Sequence, residues 1–171
     1  MKERCVTTID DDLINRSADI RWPVGFDPVH ADLFAHNAVI INAPPKRVWA
    51  TLIAAAAWPE WYSNASDIVV DDPSGQLGED VTFSWTTFGL EIASKVTECA
   101  PHVRLGWYGK GDQLHAYHTW LLVSRSGDST YVVMEEIGMG AGAQHLAQTN
   151  PGHMHRGHDL WNISLKFACE A

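Results

Sequence analysis

The C-terminal segment, residues 150–170, carries the periodic pattern of a helix. One stripe recurs at spacings of four, three, four and three residues, at Met154, His158, Trp161, Leu165 and Ala168. Such spacings place side chains on one face of a helix. Asn150 is a strong N-cap residue and Pro151 suits the first helical position. The pattern therefore predicts a long amphipathic helix from about residue 151 to 169, with its apolar face against the rest of the chain.

The preceding part of the chain has the alternating pattern of strands. Phe83 and Trp85 alternate with Thr82, Ser84 and Thr86, which is typical of an antiparallel sheet with one buried face. A first strand is predicted over 36–43, and two helices follow, one opening at Pro44 and a short one at Trp58. Turn-forming residues separate six further strands, predicted near 67–72, 79–87, 90–98, 102–109, 115–125 and 130–138.

Residues 1–35 lack the periodic pattern of the later strands and helices and are interpreted as an N-terminal extension to a domain that spans 36–171. The segment from Trp22 to Pro28 contains two prolines and a glycine, which exclude a regular helix or central strand. Its aromatic residues indicate that it lies along the body of the domain. For the polar residues 1–15, a disordered tail is an open alternative.

Composition narrows the classes of function. The 171 residues carry a formal net charge of −9, which argues against nucleic acid or an anionic membrane as a partner. Three widely separated cysteines fit a reducing cytoplasm rather than a disulfide framework. No signal peptide or membrane-spanning run is recognisable, so we expect a cytoplasmic protein without membrane insertion. Eight tryptophans predict either a thick aromatic core or an aromatic pocket.

Several segments resemble the START-like or SRPBCC superfamily, which includes polyketide cyclases, aromatases and birch-pollen-allergen proteins. They are the run Ile41-Asn-Ala-Pro-Pro-Lys-Arg-Val-Trp-Ala-Thr-Leu52, then Trp58-Pro-Glu-Trp61, Arg104-Leu-Gly-Trp107, His118-Thr-Trp120 and Leu165-Lys-Phe-Ala-Cys-Glu170. The resemblance covers about residues 36–171. It implies an α+β helix-grip fold, in which a curved seven-stranded antiparallel sheet wraps around the C-terminal helix and encloses a cavity. It carries over no catalytic residue set, because the superfamily shares none.

Strand phase and helix phase together predict the lining of that cavity. The predicted ligand-binding residues are Trp58, Trp61, Tyr62, Phe83, Trp85, Trp107, Trp120, Met154 and Trp161. For each aromatic ring, simple packing in the core is the alternative. As a group they favour a pocket, because a curved sheet and one helix leave space between them.

Three polar residues on the inward phase are the candidate catalytic groups: His118, Glu136 and His158. If Ser126–Asp128 forms a three-residue hairpin loop, paired residue numbers sum to 254 and His118 faces Glu136. The carboxylate would then raise the pKa of the imidazole and keep it partly charged near neutral pH. His158 would face the pair from the long helix. A structural ion pair at His118, and a satisfied core histidine at His158, are the alternatives.

The histidine spacings do not favour a metal site, and no cofactor is predicted. His153, His155 and His158 lie on different faces of a helix, and the chain has no His-Glu-x-x-His motif. The glycine-rich segment 138–148 is predicted to be a flexible connection that gates the cavity, with His145 and Gln148 near its entrance. An ordinary surface loop is the alternative.

Three functions stay open from the sequence. The first is binding of a small apolar molecule, aromatic or polycyclic, in the internal cavity. The second is a metal-free enzyme of the polyketide cyclase or dehydratase type that uses the cavity histidines. The third is a co-chaperone-like interaction module. The small molecule is the predicted partner, and a homodimer is an additional hypothesis.

Overall fold

The computed structural model describes residues 8–171 and contains four α-helices, seven strands and two short 3₁₀ segments in that range. The helices are α1 (Thr8–Asn15), α2 (Pro45–Ile53), α3 (Ala141–Thr149) and α4 (His153–Glu170). The strands are β1 (Leu33–Ile41), β2 (Ser66–Val70), β3 (Thr82–Thr87), β4 (Leu90–Ala100), β5 (Arg104–Gly111), β6 (Leu114–Arg125) and β7 (Ser129–Met139). The 3₁₀ segments are Pro28–His30 and Ala55–Glu60.

The seven strands form one antiparallel sheet in the order β1-β7-β6-β5-β4-β3-β2. On α4, Trp161 and Leu165 are fully buried in the same core cluster as Trp85 and Trp107 of the sheet. The long helix therefore lies against the inner face of the sheet. This arrangement confirms the α+β helix-grip fold predicted from the sequence.

The segment that leads into the long helix differs from the sequence prediction. Residues 141–149 form the helix α3, because their alanines and long side chains favour a helix once Gly140 has turned the chain. Gly140 adopts φ +107, and a Cβ there would meet the Gln113 carbonyl at 2.7 Å. Asn150 therefore caps the end of α3 and accepts a bond from Arg156 at 2.7 Å, while α4 begins at His153. The predicted flexible loop and the Asn150 N-cap were both wrong.

Residues 17–26 of the N-terminal segment lie on the outer face of the sheet, whereas α1 packs beside β1, with Ile9 against Leu33, Ala143 and Met154 and Asp12 bonded to His155 of α4. Ile20 packs in a cluster with Leu121 and Val133, and the Trp22 ring lies 6.1 Å from that of Tyr117. The Ser17 amide donates to Glu135 Oε1 at 2.6 Å. The prediction that aromatics of this segment lie along the domain is confirmed, and β6 and β7 are consequently buried on both faces. Of the predicted tail 1–15, residues 8–15 form α1, and residues 1–7 lie outside the described range.

An aromatic core fills one end of the space between sheet and helix. Trp58 is fully buried at its centre, and its Nε1 donates to the Leu52 carbonyl at 2.9 Å. The rings of Trp85, Trp107 and Trp161 lie 5.2 to 5.9 Å from the Trp58 ring. Because the aromatic rings fill this end, an internal cavity must lie towards the other end of the sheet. No helix within residues 8–171 is long and apolar enough to cross a membrane.

Candidate functional site

The cavity lies at the end of the sheet where the β3–β4 and β5–β6 turns, α3 and the start of α4 come together. Its volume is about 320 Å³. Its apolar lining includes Trp85, Phe88, Ile92, Trp107, Leu114, Leu146, Met154 and Trp161. Its polar lining includes Thr87, Asp112, His118, Glu136, His145, His153 and His158. An apolar pocket with a few polar groups is the usual form of a small-molecule site.

The His118–Glu136 pair forms as the hairpin register predicts. β6 ends at Arg125 and β7 begins at Ser129, so the loop has three residues and His118 lies opposite Glu136. His118 Nδ1 is 2.7 Å from Glu136 Oε2. Both residues line the cavity, so the predicted geometry on the inner face is confirmed.

His158 completes the group from the long helix. Its position on the buried face of α4 brings Nε2 to 3.0 Å from the same oxygen, Glu136 Oε2. The two imidazole rings lie edge to face with their centroids 5.3 Å apart. One carboxylate oxygen therefore serves two histidines, each of which is almost fully buried. We call His118, Glu136 and His158 the inner triad.

The two imidazoles keep the carboxyl group of Glu136 ionised. Burial alone would raise its pKa, but hydrogen bonds from His118 and His158 outweigh burial and lower the pKa to about 2. An ionised carboxylate can only accept hydrogen bonds. The hydrogens in these contacts therefore belong to His118 Nδ1 and His158 Nε2. This assignment leaves His118 Nε2 as a lone-pair acceptor whenever that ring is neutral.

The charge on His118 differs from the sequence expectation. Burial lowers its pKa below the ordinary value, and the neighbouring Glu136 offsets that loss only in part. The ring lies parallel to Trp107, with centroids 4.6 Å apart, and the Trp120 and Trp161 rings surround it. These indoles remove the water that would stabilise an imidazolium. His118 is thus neutral near pH 7, and the prediction of a partly charged ring was wrong.

The predicted lining residues divide into two groups. Trp85, Trp107, Met154 and Trp161 line the cavity. The structure places Trp58, Tyr62, Phe83 and Trp120 in the packed core instead, and partly exposed Trp61 packs against that core. Tyr62 is stacked on Trp161 with the ring centroids 4.7 Å apart; Tyr62 lies on the core side of this pair and Trp161 on the cavity side.

Sequence reasoning missed Phe88, Asp112 and His153, which also line the cavity. Phe88 and Asp112 lie at hairpin turns, where strand alternation predicts nothing about direction. The Phe88 ring lies 5.1 Å from that of His153 and rests over Gly157, where a Cβ would overlap the ring atoms Cε1 and Cζ. An aromatic residue in a turn, together with a glycine on the stripe of the facing helix, was the available signal. Of the two residues predicted near the entrance, His145 lines the cavity, whereas Gln148 is exposed and does not.

The inner triad is also the group within residues 8–171 whose side chains lie close enough to share a metal ion, with ligating atoms within 4.8 Å of one another. A histidine ligand must present a lone pair to a metal. Nδ1 of His118 and Nε2 of His158 can either donate hydrogens to Glu136, as in the arrangement described here, or present lone pairs to a metal ion.

Solved structures with the same fold cover most of the chain. A hypothetical protein from Helicobacter pylori has 29% sequence identity and a TM-score of 0.82, with 90% of this chain and 98% of that chain covered. The Zhui aromatase/cyclase from Streptomyces sp. R1128 has 11% identity and a TM-score of 0.64, with 80% and 93% covered. A norcoclaurine synthase point mutant from Thalictrum has 12% identity and a TM-score of 0.61, with 80% and 92% covered.

A search of curated proteins found no match. The model of one protein family, described as polyketide cyclase / dehydrase and lipid transport, matches residues 35–149. That range runs from the third residue of β1 to the end of α3, and therefore includes both strands that carry His118 and Glu136. The chain belongs to the polyketide cyclase / dehydrase and lipid transport family.

Proposed function

We propose that the protein binds a compact apolar molecule in this cavity and catalyses proton transfer on it with the inner triad. The observation that carries the proposal is the convergence of His118, Glu136 and His158 on one apolar cavity. A carrier can orient its ligand with one polar group, whereas acid–base chemistry needs a base, a group that orients it and a source of protons. The inner triad supplies these parts.

The cavity favours a small substrate. Its volume of about 320 Å³ lies at the lower end of the range for ligand pockets, which is roughly 300–1,000 Å³. The aromatic core around Trp58 fills the space that a larger polycyclic molecule would need. We therefore infer a substrate of one or two rings, held between the indoles of Trp85, Trp107 and Trp161.

His118 is the best placed base. It is neutral and its Nδ1 hydrogen is held by Glu136. Its Nε2 is buried and bonds no other residue in the described range, so a neighbouring ring must move for a substrate to reach it. When Nε2 accepts a proton from a carbon beside a carbonyl, the ionised Glu136 stabilises the imidazolium that forms. Return of that proton to a leaving hydroxyl releases water and restores neutral His118. Dehydration uses both steps. Aldol cyclisation shares the first step, and His118 then returns the proton to the alkoxide that forms when the new carbon–carbon bond is made.

Simple carriage of an apolar molecule is the second candidate function. The observation that favours it is the largely apolar lining of the cavity, which by itself is sufficient for binding. The two candidates differ in what they require of His118. A carrier needs the ring only as part of the wall, whereas the proton-transfer enzyme needs its free nitrogen.

Exchange of the α-hydrogens of 2-tetralone in D₂O tests the proposal. This bicyclic ketone requires only proton removal beside a carbonyl, and mass spectrometry follows the incorporation of deuterium. We expect His118→Gln to slow the protein-dependent exchange by about 100-fold, the scale of general base catalysis. Binding of 2-tetralone, followed by tryptophan fluorescence, should change less than about threefold.

His145→Gln is the matched control, because His145 lines the cavity but is not part of the inner triad. It should retain the exchange rate of the unsubstituted protein. If 2-tetralone binds the unsubstituted protein but its exchange is no faster than in buffer, the protein is a carrier. If His118→Gln exchanges deuterium as fast as His145→Gln, His118 is not the base. If 2-tetralone does not bind the unsubstituted protein at any attainable concentration, the inferred substrate size and shape are wrong.

A further inference from the structure

One oxygen of the inner triad has no role in the proton transfer described above. Both imidazoles contact Oε2 of Glu136, and no described side chain or backbone amide bonds its other oxygen, Oε1. The Glu136 side chain retains 18% of its exposure, and the residue lines the cavity. A fixed carboxylate thus presents a free acceptor to whatever the cavity holds.

The other charged groups of the lining have the same sign. Asp112 is the second carboxylate, and within the described chain no lysine or arginine lines the cavity. The remaining titratable lining groups are four histidines, of which His118 is buried and neutral. The whole chain has a formal net charge of −9. An anionic ligand would therefore meet repulsion in an apolar site, where charge interactions are weakly screened.

The aromatic walls favour a positive charge. Trp85, Trp107 and Trp161 line the same cavity as Glu136. The faces of indole rings carry negative potential, and tryptophan is the strongest of the aromatic side chains in attracting organic cations. A neutral hydroxyl could also donate to Oε1, but it would leave the charge of a desolvated carboxylate uncompensated. A cationic donor satisfies the hydrogen bond and the charge together.

We propose that the ligand of this cavity carries a protonated amine, which donates to Glu136 Oε1 and lies among the indole rings. The inference rests on the proposed function, since it concerns the substrate of the same cavity. It narrows the substrate class to small aromatic or alicyclic molecules that carry one protonated amine in addition to the carbonyl required for proton transfer. It excludes carboxylic acids, phosphate esters and other anions as the preferred ligands.

Three molecules that differ in one functional group test this inference directly. They are 2-phenylethylamine, 2-phenylethanol and phenylacetate, titrated calorimetrically into the full-length protein at about pH 8. At that pH an ordinary imidazole is neutral, whereas an alkyl amine is still protonated. We expect the amine to bind at least tenfold more tightly than the alcohol, and the acid to bind most weakly.

Two variants locate the origin of the preference. Glu136→Gln keeps the shape of the side chain and removes its charge, so the amine should lose at least tenfold in affinity while the alcohol changes less than threefold. Asp112→Asn is the matched control, because it removes the other carboxylate of the lining. It should leave most of the preference for the amine. Thermal unfolding of each variant checks that the fold is retained. If a variant does not fold, the affinities of the three molecules for the unsubstituted protein still test the inference.

Several outcomes would overturn the inference. Equal or weaker binding of the amine relative to the alcohol removes the charge preference, and it leaves the proposed function intact if the alcohol binds. If Glu136→Gln and Asp112→Asn lose equal affinity for the amine, the preference comes from the overall negative charge of the cavity rather than from Glu136. Tight binding of Mn²⁺ or Zn²⁺ that requires His118 and displaces the amine would identify a metal ion as the occupant. Failure of all three molecules to bind removes this inference, and the proposed function falls with it only if 2-tetralone also fails to bind.

Discussion

The contact between Phe88 and α4 can be tested by the substitution Gly157→Ala, which adds one methyl group to the helix. Phe88 lies in the β3–β4 turn with φ +51, and its amide donates to Asn64 Oδ1 at 2.9 Å. Its ring rests where a side chain at Gly157 would be, so Gly157→Ala would place a Cβ in overlap with two ring carbons. The Phe88 ring would have to move away from the helix, because the helix backbone itself is held by its packing on the sheet.

Two opposing terms set the size of the effect. Replacing glycine by alanine inside a helix stabilises it by about 1 kcal/mol. Overpacking of a well-fitted contact costs about 1–3 kcal/mol. The substitution should therefore change the free energy of unfolding by between zero and about −2 kcal/mol in the unsubstituted protein. With Phe88→Ala the overlap disappears, and the same substitution should then stabilise by about 1 kcal/mol.

A double-mutant cycle measured by urea denaturation isolates this contact. The four proteins are the unsubstituted chain, Gly157→Ala, Phe88→Ala and the double variant. The expected signature is a reversal of sign, with a coupling energy of about 1–3 kcal/mol between the two positions. If Gly157→Ala stabilises the protein equally in both backgrounds, Phe88 does not occupy the space over Gly157 and the described shape of the cavity mouth is incorrect.

Two further predictions concern the core and the inner triad. Trp58→Ala should lower the free energy of unfolding by about 3–5 kcal/mol, as expected for a fully buried tryptophan, whereas Leu90→Ala at a 42% exposed position should change it by less than about 1 kcal/mol; similar losses in urea denaturation would contradict the packed core. Glu136 has a folded-state pKa of about 2, below its ordinary value of 4.5, so its stabilisation is present above pH 4.5 and is lost as the pH falls towards 2. The full difference between the two pKa values corresponds to roughly 3 kcal/mol of unfolding free energy. Glu136→Gln should therefore lose less stability between pH 4.5 and 3 than the unsubstituted protein. If both proteins lose stability equally over this pH range, the histidines do not hold the carboxylate.

The elements that sequence analysis located well are those fixed by local rules. The Ser126–Asp128 turn determines the pairing of β6 with β7, because a three-residue loop permits one register, and Gly127 and Asp128 have the positive φ angles that it needs. His118 and Glu136 could be paired from that rule alone. His158 followed from the helical stripe, whose phase does not depend on where the helix begins.

The sequence could not show which aromatic rings face the cavity. Trp85 and Phe83 share a strand phase, yet Trp85 lines the cavity and Phe83 lies in the core. The difference depends on the position of each ring along the sheet relative to Trp58, which only the assembled fold determines. The charge on His118 was missed for the same reason, since its burial depends on rings contributed by three other positions. α3 was missed because glycines near its start resemble a loop.

The contacts of the N-terminal segment have a consequence for the order in which the fold can assemble. His36 and Glu135 are 99 positions apart, and Asp12 and His155, whose side chains are joined at 2.9 Å, are 143 positions apart. β1, the first strand, forms ladder bonds with β7, the last. During synthesis from the N-terminus, α1 and β1 leave the ribosome long before their partners exist. β1 can pair with β7 only after Met139 has left the ribosome, and long-range pairing of this kind makes folding slow.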